Sequence, residues 1–238
     1  MIVRMGIMKR KADMSLETFR EHWRSVHAPL AAKLPGLRRY HQNHVADASQ
    51  LAIDHARGEW DVDGFSQLWF DDQDAMRLAV SSPAFPATVT DIPNFVGSIK
   101  IAVCQPNVVL PVSQDAGPLI KRMSILRRRP DIDAERFRKE WFGFHAEAVS
   151  RFPNLMGYTQ NLVVGRSVNL EDSASYEQVP IDGIVEMWYR NTDDLQAAFQ
   201  SPAATVSQTH ALDFLAEITT FLVETHRIVL GSARRFPR

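Results

Sequence analysis

An internal repeat constrains the fold of this 238-residue chain more than any other feature of its sequence. Phe19–Leu37 reads FREHWRSVHAPLAAKLPGL and Phe137–Leu155 reads FRKEWFGFHAEAVSRFPNL, so phenylalanine, tryptophan, histidine and proline recur in the same order 118 positions later. Further along, VDGFSQLWF from Val62 matches IDGIVEMWY from Ile181 at a spacing of 119. Because rare residue types agree in order and at nearly constant spacing, the sequence predicts a tandem duplication of one module.

Each half shows the hydrophobic pattern of strand, helix, strand, strand, helix and strand. Ser15 and Asp133 are candidate N-caps for the first helix of each half, in which Trp23 and His27 share one face. Segments with strand composition are Ile2 to Lys9, Leu37 to Val45, Val62 to Phe70 and Ile99 to Val109 in the first half, and Leu155 to Val164 and Ile181 to Tyr189 in the second. The second helix is predicted over Gln73 to Ser81, and the segment between it and the last strand is expected to be loosely ordered.

The arrangement that buries these apolar faces in two layers is a sheet of four antiparallel strands with two helices on one face. The opposite face of such a sheet would stay bare, so each module needs a partner, and the twin module supplies one. We therefore predict an α+β protein of two βαββαβ modules, residues 1–112 and 119–234, which pack sheet to sheet as an intrachain pseudo-dimer with barrel-like character. The stretch from Pro106 to Pro118 is the expected linker between them.

Composition and charge exclude several classes of partner. With 45% hydrophobic residues, 23% charged residues and a formal net charge of -1, the chain has the profile of an ordinary globular protein. This balance gives no electrostatic reason to expect nucleic acid or a membrane surface as partner. No apolar run approaches the roughly 18 residues of a spanning helix, and no signal peptide is evident. The single cysteine, Cys104, cannot form an intrachain disulfide, so a reducing cytoplasm is the default expectation.

The segments KRKADMSLETFREHWRSVHAPLAAKLPGLRRYHQNHV and VDGFSQLWF resemble the EthD family of dimeric α/β-barrel proteins, and the second half keeps a weaker version of the same signals. The resemblance implies a ferredoxin-like module whose usual homodimer is fused here into one chain. It implies much less about function, because EthD itself accompanies an ether-degrading cytochrome system without a settled role of its own. The wider superfamily includes isomerases, polyketide cyclases and cofactor-free monooxygenases, and fold membership does not select among them.

Each half departs from the family pattern at one position. The second half reads His145-Ala146-Glu147 where the family favours His-Ala-Pro. The first half has Gln67 where the second has Glu186, the acidic residue more usual in the family. If the carboxylate is needed for chemistry, only the second half keeps it. If the histidine within the HAPL sequence is needed, the first half is the one that keeps the family pattern. The sequence is thus compatible with one degenerate site.

Histidine is the leading candidate for catalysis, because a desolvated imidazole on the helix face turned to the sheet can act as general acid or base near pH 7. A tyrosine on the second strand could stabilise a carbonyl or phenolate, and an aspartate at the start of the third strand could orient the histidine. The candidate catalytic residues are His27, Tyr40 and Asp63 in the first half and His145, Tyr158 and Asp182 in the second. The alternative for each is structural: a buried histidine that fixes the helix, a space-filling tyrosine, or a turn aspartate.

Large aromatic and amide side chains near these groups are candidate substrate contacts. They are Trp23, Gln42 and Trp69 in the first half and Trp141, Gln160 and Trp188 in the second. No metal site is predicted, because His41 and His44 fall on opposite faces of a strand, and His22 and His27, five apart on a helix, diverge. His55 lies in a polar loop and is expected to be solvated. No phosphate loop or dinucleotide fingerprint occurs, so no cofactor is expected.

The leading functional hypothesis is a cofactor-independent enzyme that acts by proton transfer, as an isomerase, lyase or cyclase, on a small apolar organic molecule. The substrate would be an aromatic-catabolic lactone or a polyketide-like compound. The second hypothesis is a non-catalytic, small-molecule-binding accessory protein of an oxygenase system, and the third is a cofactor-free monooxygenase. The expected partner is a small-molecule substrate, and further homodimerisation of the pseudo-dimer is left open.

Overall fold

The computed structural model describes residues 1–168 and 172–230. The first module contains β1 (Ile2–Arg10), α1 (Leu16–His22), a π-helical turn (Trp23–His27), α2 (Ala28–Ala31), β2 (Arg39–Asp47), β3 (Gly64–Phe70), α3 (Gln73–Val80), α4 (Phe85–Phe95) and β4 (Val96–Leu110). The second contains β5 (Ile120–Arg128), α5 (Ala134–Glu140), a π-helical turn (Trp141–His145), α6 (Ala146–Ser150), β6 (Gly157–Val168), β7 (Asp172–Ser173), β8 (Gly183–Tyr189), α7 (Thr192–Phe199), α8 (Pro202–Phe214) and β9 (Leu215–Val229). In the described part of the chain, no helix is long and apolar enough to span a membrane.

The predicted helix starts are confirmed by hydrogen bonds at both N-caps. The Thr18 backbone N–H donates to Ser15 Oγ at 3.1 Å, and the Arg136 N–H donates to Asp133 Oδ1 at 2.7 Å. Each cap satisfies one of the N–H groups that the first turn of a helix leaves without a partner. The sequence therefore fixes where the first helix of each module begins.

The segment before β4 that was expected to be loosely ordered is the helix α4, so this expectation was wrong. Pro86 lies in the first turn of α4, where the missing N–H removes no intrahelical hydrogen bond. Pro93 lies two residues before the helix ends at Phe95, so little helix follows the bond that it removes. Prolines near both ends of a short helix give it the sequence character of a loop.

Eight of the nine strands within the described residues form a closed antiparallel barrel. The order is β4-β1-β3-β2 in the first module and β9-β5-β8-β6 in the second, and the two-residue β7 adds only to the end of β6. The modules meet along two seams, in which β2 pairs with β9 and β4 pairs with β6. The predicted pseudo-dimer is confirmed, with the two sheets joined edge to edge by hydrogen bonds. Closure leaves none of the eight barrel strands as a free sheet edge.

Side-chain alternation divides each barrel strand between two environments. One set of side chains points into the barrel, where Met5, Phe65, Met123, Ile184 and Phe221 are buried together. The other set faces the helices that cover the outside of each module. A residue on a strand can therefore reach a helix-borne histidine only if it belongs to the outer set.

The repeated Asp-Gly at the start of the third strand is explained by the packing of a tryptophan. A Cβ atom added to Gly64 would lie 2.4 Å from Trp23 Cζ3, and one added to Gly183 would lie 2.3 Å from Trp141 Cη2. Both distances are far inside van der Waals contact, so any other residue would displace the indole ring. The tryptophan of the helix and the glycine of the strand are thus one packing unit in each module.

Candidate functional site

Strand alternation separates the predicted site residues into two groups. Tyr40 and Gln42 on β2 face the helix layer, where both contact Trp23. Trp69 on β3 and Trp188 on β8 belong to the inward set of the barrel. The sheet therefore lies between these two tryptophans and the histidines on the helices, and the structure does not bring the two groups together.

In the first module, the predicted tyrosine and glutamine bind each other and the helix. Trp23 Nε1 donates to Tyr40 Oη at 3.1 Å. Gln42 Nε2 donates to Tyr40 Oη at 3.0 Å and to the Trp23 carbonyl oxygen at 2.8 Å. Burial raises the pKa of Tyr40 to about 12, so its phenol stays protonated at neutral pH. This network fixes the helix onto the sheet.

The second module repeats the contacts of the glutamine with its own residues. Gln160 Nε2 donates to Tyr158 Oη at 2.8 Å and to the Trp141 carbonyl oxygen at 2.6 Å. Burial raises the pKa of the Tyr158 phenol, which therefore also stays protonated. Tyr158 additionally lines a cavity between the helices and the sheet.

The two predicted aspartates lie at strand ends, away from the histidines. Asp63 accepts a hydrogen bond from Arg10 Nη1 at 2.5 Å and another from the Arg10 backbone N–H at 3.0 Å. Asp182 is paired with the Arg128 guanidinium in the same way and accepts from the Arg128 backbone N–H at 2.8 Å. Each carboxylate ties the start of the third strand to the end of the first.

His27 lies at the end of the first π-helical turn and binds a buried aspartate that the sequence pattern did not reveal. His27 Nδ1 lies 3.0 Å from Asp91 Oδ2, and His22 Nε2 lies 2.9 Å from Asp91 Oδ1. The expectation that His22 and His27 diverge was wrong, because a π-helical turn contains more residues than an α-helical one and brings side chains five apart toward one side. Burial lowers the pKa of His27, and Asp91 offsets this only in part.

The second module keeps the equivalent histidine, His145, but has different side chains at the other two positions. His210 stands where the first module has Asp91, and Glu140 stands where the first module has His22. His210 Nε2 lies 3.3 Å from Glu140 Oε2, and the rings of His145 and His210 stack with their centroids 5.7 Å apart. Nδ1 of His145 is buried and has no hydrogen-bond partner among the described residues. Burial, together with His210, lowers the pKa of His145 to about 3, so this ring is neutral at physiological pH.

His145 lines a cavity of about 60 Å³ between the helices and the sheet of the second module. Most of the wall is apolar, and the residues that supply it include Leu126, Val185, Met187, Phe199 and Ala211. Ser124, Tyr158 and Gln208 add polar groups to the lining. An apolar cavity with a few polar groups and a histidine of strongly shifted pKa is the default candidate for a small-molecule site.

One wall of this cavity comes from the other module. Ile53–His55, in the loop between β2 and β3, lines it, and this loop is fastened along β9. The Ile218 N–H donates to the Ala56 carbonyl at 2.9 Å, and Gln50 Nε2 donates to the Ile218 carbonyl at 2.5 Å. His55 was expected to be solvated, which was wrong: the loop packs on the second module, His55 is half-buried, and burial lowers its pKa.

The described residues offer acid–base groups rather than a metal site. Within residues 1–168 and 172–230, no three histidine, cysteine, aspartate or glutamate side chains are placed to hold a metal ion together. Cys104 is buried, and burial raises the pKa of its thiol. The titratable side chains that line the cavity are His145, His55, Asp54 and Tyr158. These groups can move or hold a proton.

The EthD domain family matches the chain over residues 11–98 and 129–215, once in each module. The chain belongs to the EthD family. No curated protein matches it. Among solved structures, an anthrone oxidase-like protein is similar at 9% identity with a TM-score of 0.64, over 99% of this chain and 96% of that one.

Two further solved structures are similar over almost the whole chain. A candidate monooxygenase of Fusobacterium nucleatum is 9% identical with a TM-score of 0.61, covering 97% of this chain and 95% of that one. A candidate monooxygenase of Lactobacillus acidophilus is 12% identical with a TM-score of 0.58, covering 97% of this chain and 96% of that one. At such identities the likeness shows the fold alone.

The acidic residue that the EthD family favours on the third strand is buried inside the barrel. Glu186 is paired with Lys121 Nζ and accepts hydrogen bonds at 2.8 Å from Gln67 Nε2 and from Asn161 Nδ2. Burial opposes ionisation of Glu186, but Lys121 and these amides hold its pKa below the ordinary value. Gln67 and Glu186 are equivalent residues of the two EthD modules and meet at the centre of the barrel, away from the cavity.

The residues missed by sequence reasoning are those that surround the two histidines. Asp91 and His210 lie in α4 and α8, outside the repeated motifs, and Glu140 lies in α5 at a position of the repeat where the two modules differ. The spacing of 119 does align Asp91 with His210, and an aspartate replaced by a histidine is visible in the sequence. What this replacement does depends on whether the residue contacts the histidine at the end of the π-helical turn in its module, His27 or His145. Only the structure shows that contact.

Proposed function

We propose that this EthD protein is a cofactor-independent enzyme that takes a proton from a small, largely apolar organic molecule bound in the second-module cavity, with His145 as the base. The observation that carries this proposal is the buried Nδ1 of His145, which has no hydrogen-bond partner in the described chain, on a residue that lines the cavity. A buried imidazole nitrogen without a partner is rare in folded proteins and is a natural acceptor for a group of a bound molecule.

The second module is favoured over the first as the site of proton transfer, because His27 already has a hydrogen-bond partner. His27 Nδ1 is bound to Asp91, which also holds His22, so His27 is part of a structural network. His145 stands at the same position of the repeat, but its Nδ1 has no hydrogen-bond partner in the described chain. Its ring stacks on His210 instead. The duplication therefore supports one proton-transfer site and one histidine that fixes its helix.

The electrostatics of His145 restrict the chemistry. An imidazolium is unfavourable in this cavity, because burial lowers the pKa of His145 to about 3. Proton transfer becomes feasible only when the carbanion or enolate that it creates stays beside the ring, since opposite charges stabilise each other strongly in a desolvated site. The substrate should thus carry an acidic C–H next to a carbonyl. Return of the proton to another carbon is isomerisation, and loss of a leaving group is elimination.

A cofactor-free monooxygenase is the second candidate, and the names of the structural neighbours favour it. Two of them are candidate monooxygenases and one is anthrone oxidase-like, each aligned over nearly the full chain. The first step would be the same removal of a proton by His145. The carbanion would then reduce dioxygen, a CH₂ group would become a carbonyl, and the second oxygen atom would leave as water with the two hydrogens. A binding role beside an oxygenase is the non-catalytic alternative.

Isotope exchange tests the shared first step. Wild type, His145→Gln and His27→Gln are incubated in heavy water with muconolactones, polyketide-like enones and anthrones, and deuterium uptake and oxygen consumption are measured together. We expect exchange that His145→Gln reduces by roughly 10²–10⁴-fold, as for loss of a general base, while His27→Gln stays close to wild type. Exchange without oxygen consumption would identify an isomerase or lyase, and oxygen consumption would identify the monooxygenase.

Two outcomes would contradict the proposal. Loss of exchange in His27→Gln alone would move the site to the first module. Saturable binding of several compounds without exchange or oxygen uptake would leave only the accessory-protein role.

A further inference from the structure

A second unpaired group lies close to the cavity: the guanidinium of Arg122. Its side chain is 1% exposed, and neither Nη1 nor Nη2 has a hydrogen-bond partner within the described residues. The guanidinium stacks over the Phe199 ring at 4.5 Å from its centroid. The hydroxyl of the neighbouring Tyr189 is also buried and unbonded in the described chain. Buried charges in proteins are normally paired, so this group needs an explanation.

Strand geometry places Arg122 at the end of the cavity floor. Leu126, Ser124 and Arg122 follow one another on the helix-facing side of β5, and the first two line the cavity. On the adjacent β8, Val185 and Met187 line it and Tyr189 comes next in the same row. The register pairs Ser124 with Val185 and Arg122 with Met187. The floor of the cavity thus continues directly to Arg122 and Tyr189.

Phe199 contacts both the cavity and the guanidinium, because it lines the cavity and also stacks on Arg122. For a ligand in the cavity to reach the guanidinium, the Phe199 side chain must move aside. Burial lowers the pKa of Arg122 only to about 10, so the guanidinium remains cationic at neutral pH and would attract an anion entering from the cavity.

We propose that the cavity takes an organic carboxylate, with the carboxylate bound by Arg122 and Tyr189 and the apolar part of the molecule extending toward His145. The planar guanidinium offers two parallel N–H donors that match a carboxylate, and the tyrosine hydroxyl offers a third. This inference rests on the proposed function and adds the substrate class: a small carboxylate with an acidic C–H.

The first module provides a matched control at the same position. Arg4 corresponds to Arg122, but Phe70 and Val80 stand where the second module has Tyr189 and Phe199. Arg4 is less completely buried than Arg122. The first module therefore keeps the arginine without the hydroxyl and the aromatic cover, and Arg4→Met should not affect carboxylate binding.

The test compares acids with their amides, which have nearly the same shape and no charge. Benzoate and benzamide, and propionate and propionamide, are titrated into the full chain by calorimetry for wild type, Arg122→Met and Arg4→Met. We expect at least one acid to bind about tenfold or more tighter than its amide in wild type and in Arg4→Met. In Arg122→Met the preference should disappear, because the apolar side chain removes the guanidinium that would pair with the carboxylate.

The inference is overturned if acid and amide bind equally, if neither acid binds up to about 10 mM, or if Arg122→Met keeps the preference. Should Arg122→Met fail to fold, Tyr189→Phe provides the second variant, which should keep the fold and weaken the preference about threefold. A preference unchanged in Tyr189→Phe would then count against the site. The His145→Gln variant separates the two proposals: it should keep the preference for the acid over its amide, which depends on Arg122, and lose the exchange reaction.

Discussion

The two modules place histidines at the same point of the same fold but surround them differently. In the first, Asp91 binds two histidines and is itself almost fully buried. In the second, His210 takes the position of the aspartate and leaves His145 without a partner in the described chain. Duplication allows this division, because one copy can keep the structural network while the other exposes its histidine to a cavity. Fold membership alone would have assigned both sites the same role.

The barrel centre shows the same asymmetry. Gln67 and Glu186 are equivalent residues that bind each other, and Lys121, which pairs with Glu186, stands where the first module has Val3. Two buried carboxylates facing each other at this point would repel, whereas one carboxylate, one amide and one ammonium group are mutually satisfied. The fused chain can therefore hold an unequal pair that two identical chains could not.

The largest stability effect should come from breaking this pair on one side. Lys121→Met leaves Glu186 buried without its counter-ion, which should lower the free energy of unfolding by about 3–5 kcal/mol. The double variant Lys121→Met/Glu186→Gln removes both charges and should recover most of that loss. Urea denaturation of the wild type and the two variants measures the difference. If the single variant costs no more than the double variant, Lys121 does not compensate Glu186.

A smaller difference should separate the two histidine clusters. Asp91→Asn weakens two buried hydrogen bonds to histidines and should cost about 1–3 kcal/mol. Glu140→Gln in the second module affects a 3.3 Å contact with His210 and a 3.9 Å ion pair with Arg136, and the Glu140 side chain is 32% exposed, so the change should cost less than about 0.5 kcal/mol. If the two variants lower the free energy of unfolding equally in denaturation experiments, the result would contradict the conclusion that the cluster around His27 is structural and the cluster around His145 is not.

The smallest effect should appear in the pH dependence of stability. His145 has a native pKa of about 3 against an ordinary value of 6.5, so the unfolded chain binds a proton more readily than the folded one. The neutral histidine therefore costs no stability above about pH 6.5, and stability is lost as the pH falls from there toward 3. At pH 5.5 the loss from this one group should be about 1.4 kcal/mol. His145→Gln should remove that loss, whereas an unchanged pH profile would contradict the lowered pKa.

Much of the fold could be predicted from the sequence, because the repeat and its apolar faces are local features. The repeat spacing, the N-caps at Ser15 and Asp133 and the strand segments required no knowledge of distant contacts. The helix α4 could not be recognised, because its prolines stand at positions that a helix tolerates only near its ends. Edge-to-edge closure depends on the seams between β2 and β9 and between β4 and β6, for which no local signal exists.

The candidate site was predicted less completely, since it depends on contacts between segments far apart in the chain. The position of His145 on the helix face followed from its spacing to Trp141. Its environment did not, because His210 lies 65 positions later and the wall at His55 comes from the other module. Whether a buried histidine has a partner is a property of the packed structure, and this property distinguishes His145 from His27.

The ring resonances of the histidines show whether the second module binds the substrate beside His145. Nitrogen–proton correlation spectra of ¹⁵N-histidine-labelled protein are recorded during titration with a binding carboxylate, and signals are assigned with single His→Gln variants. We expect the resonances of His145 and His210 to shift to saturation while those of His22 and His27 stay in place. Shifts confined to His22 and His27 would contradict it and place the ligand in the first module.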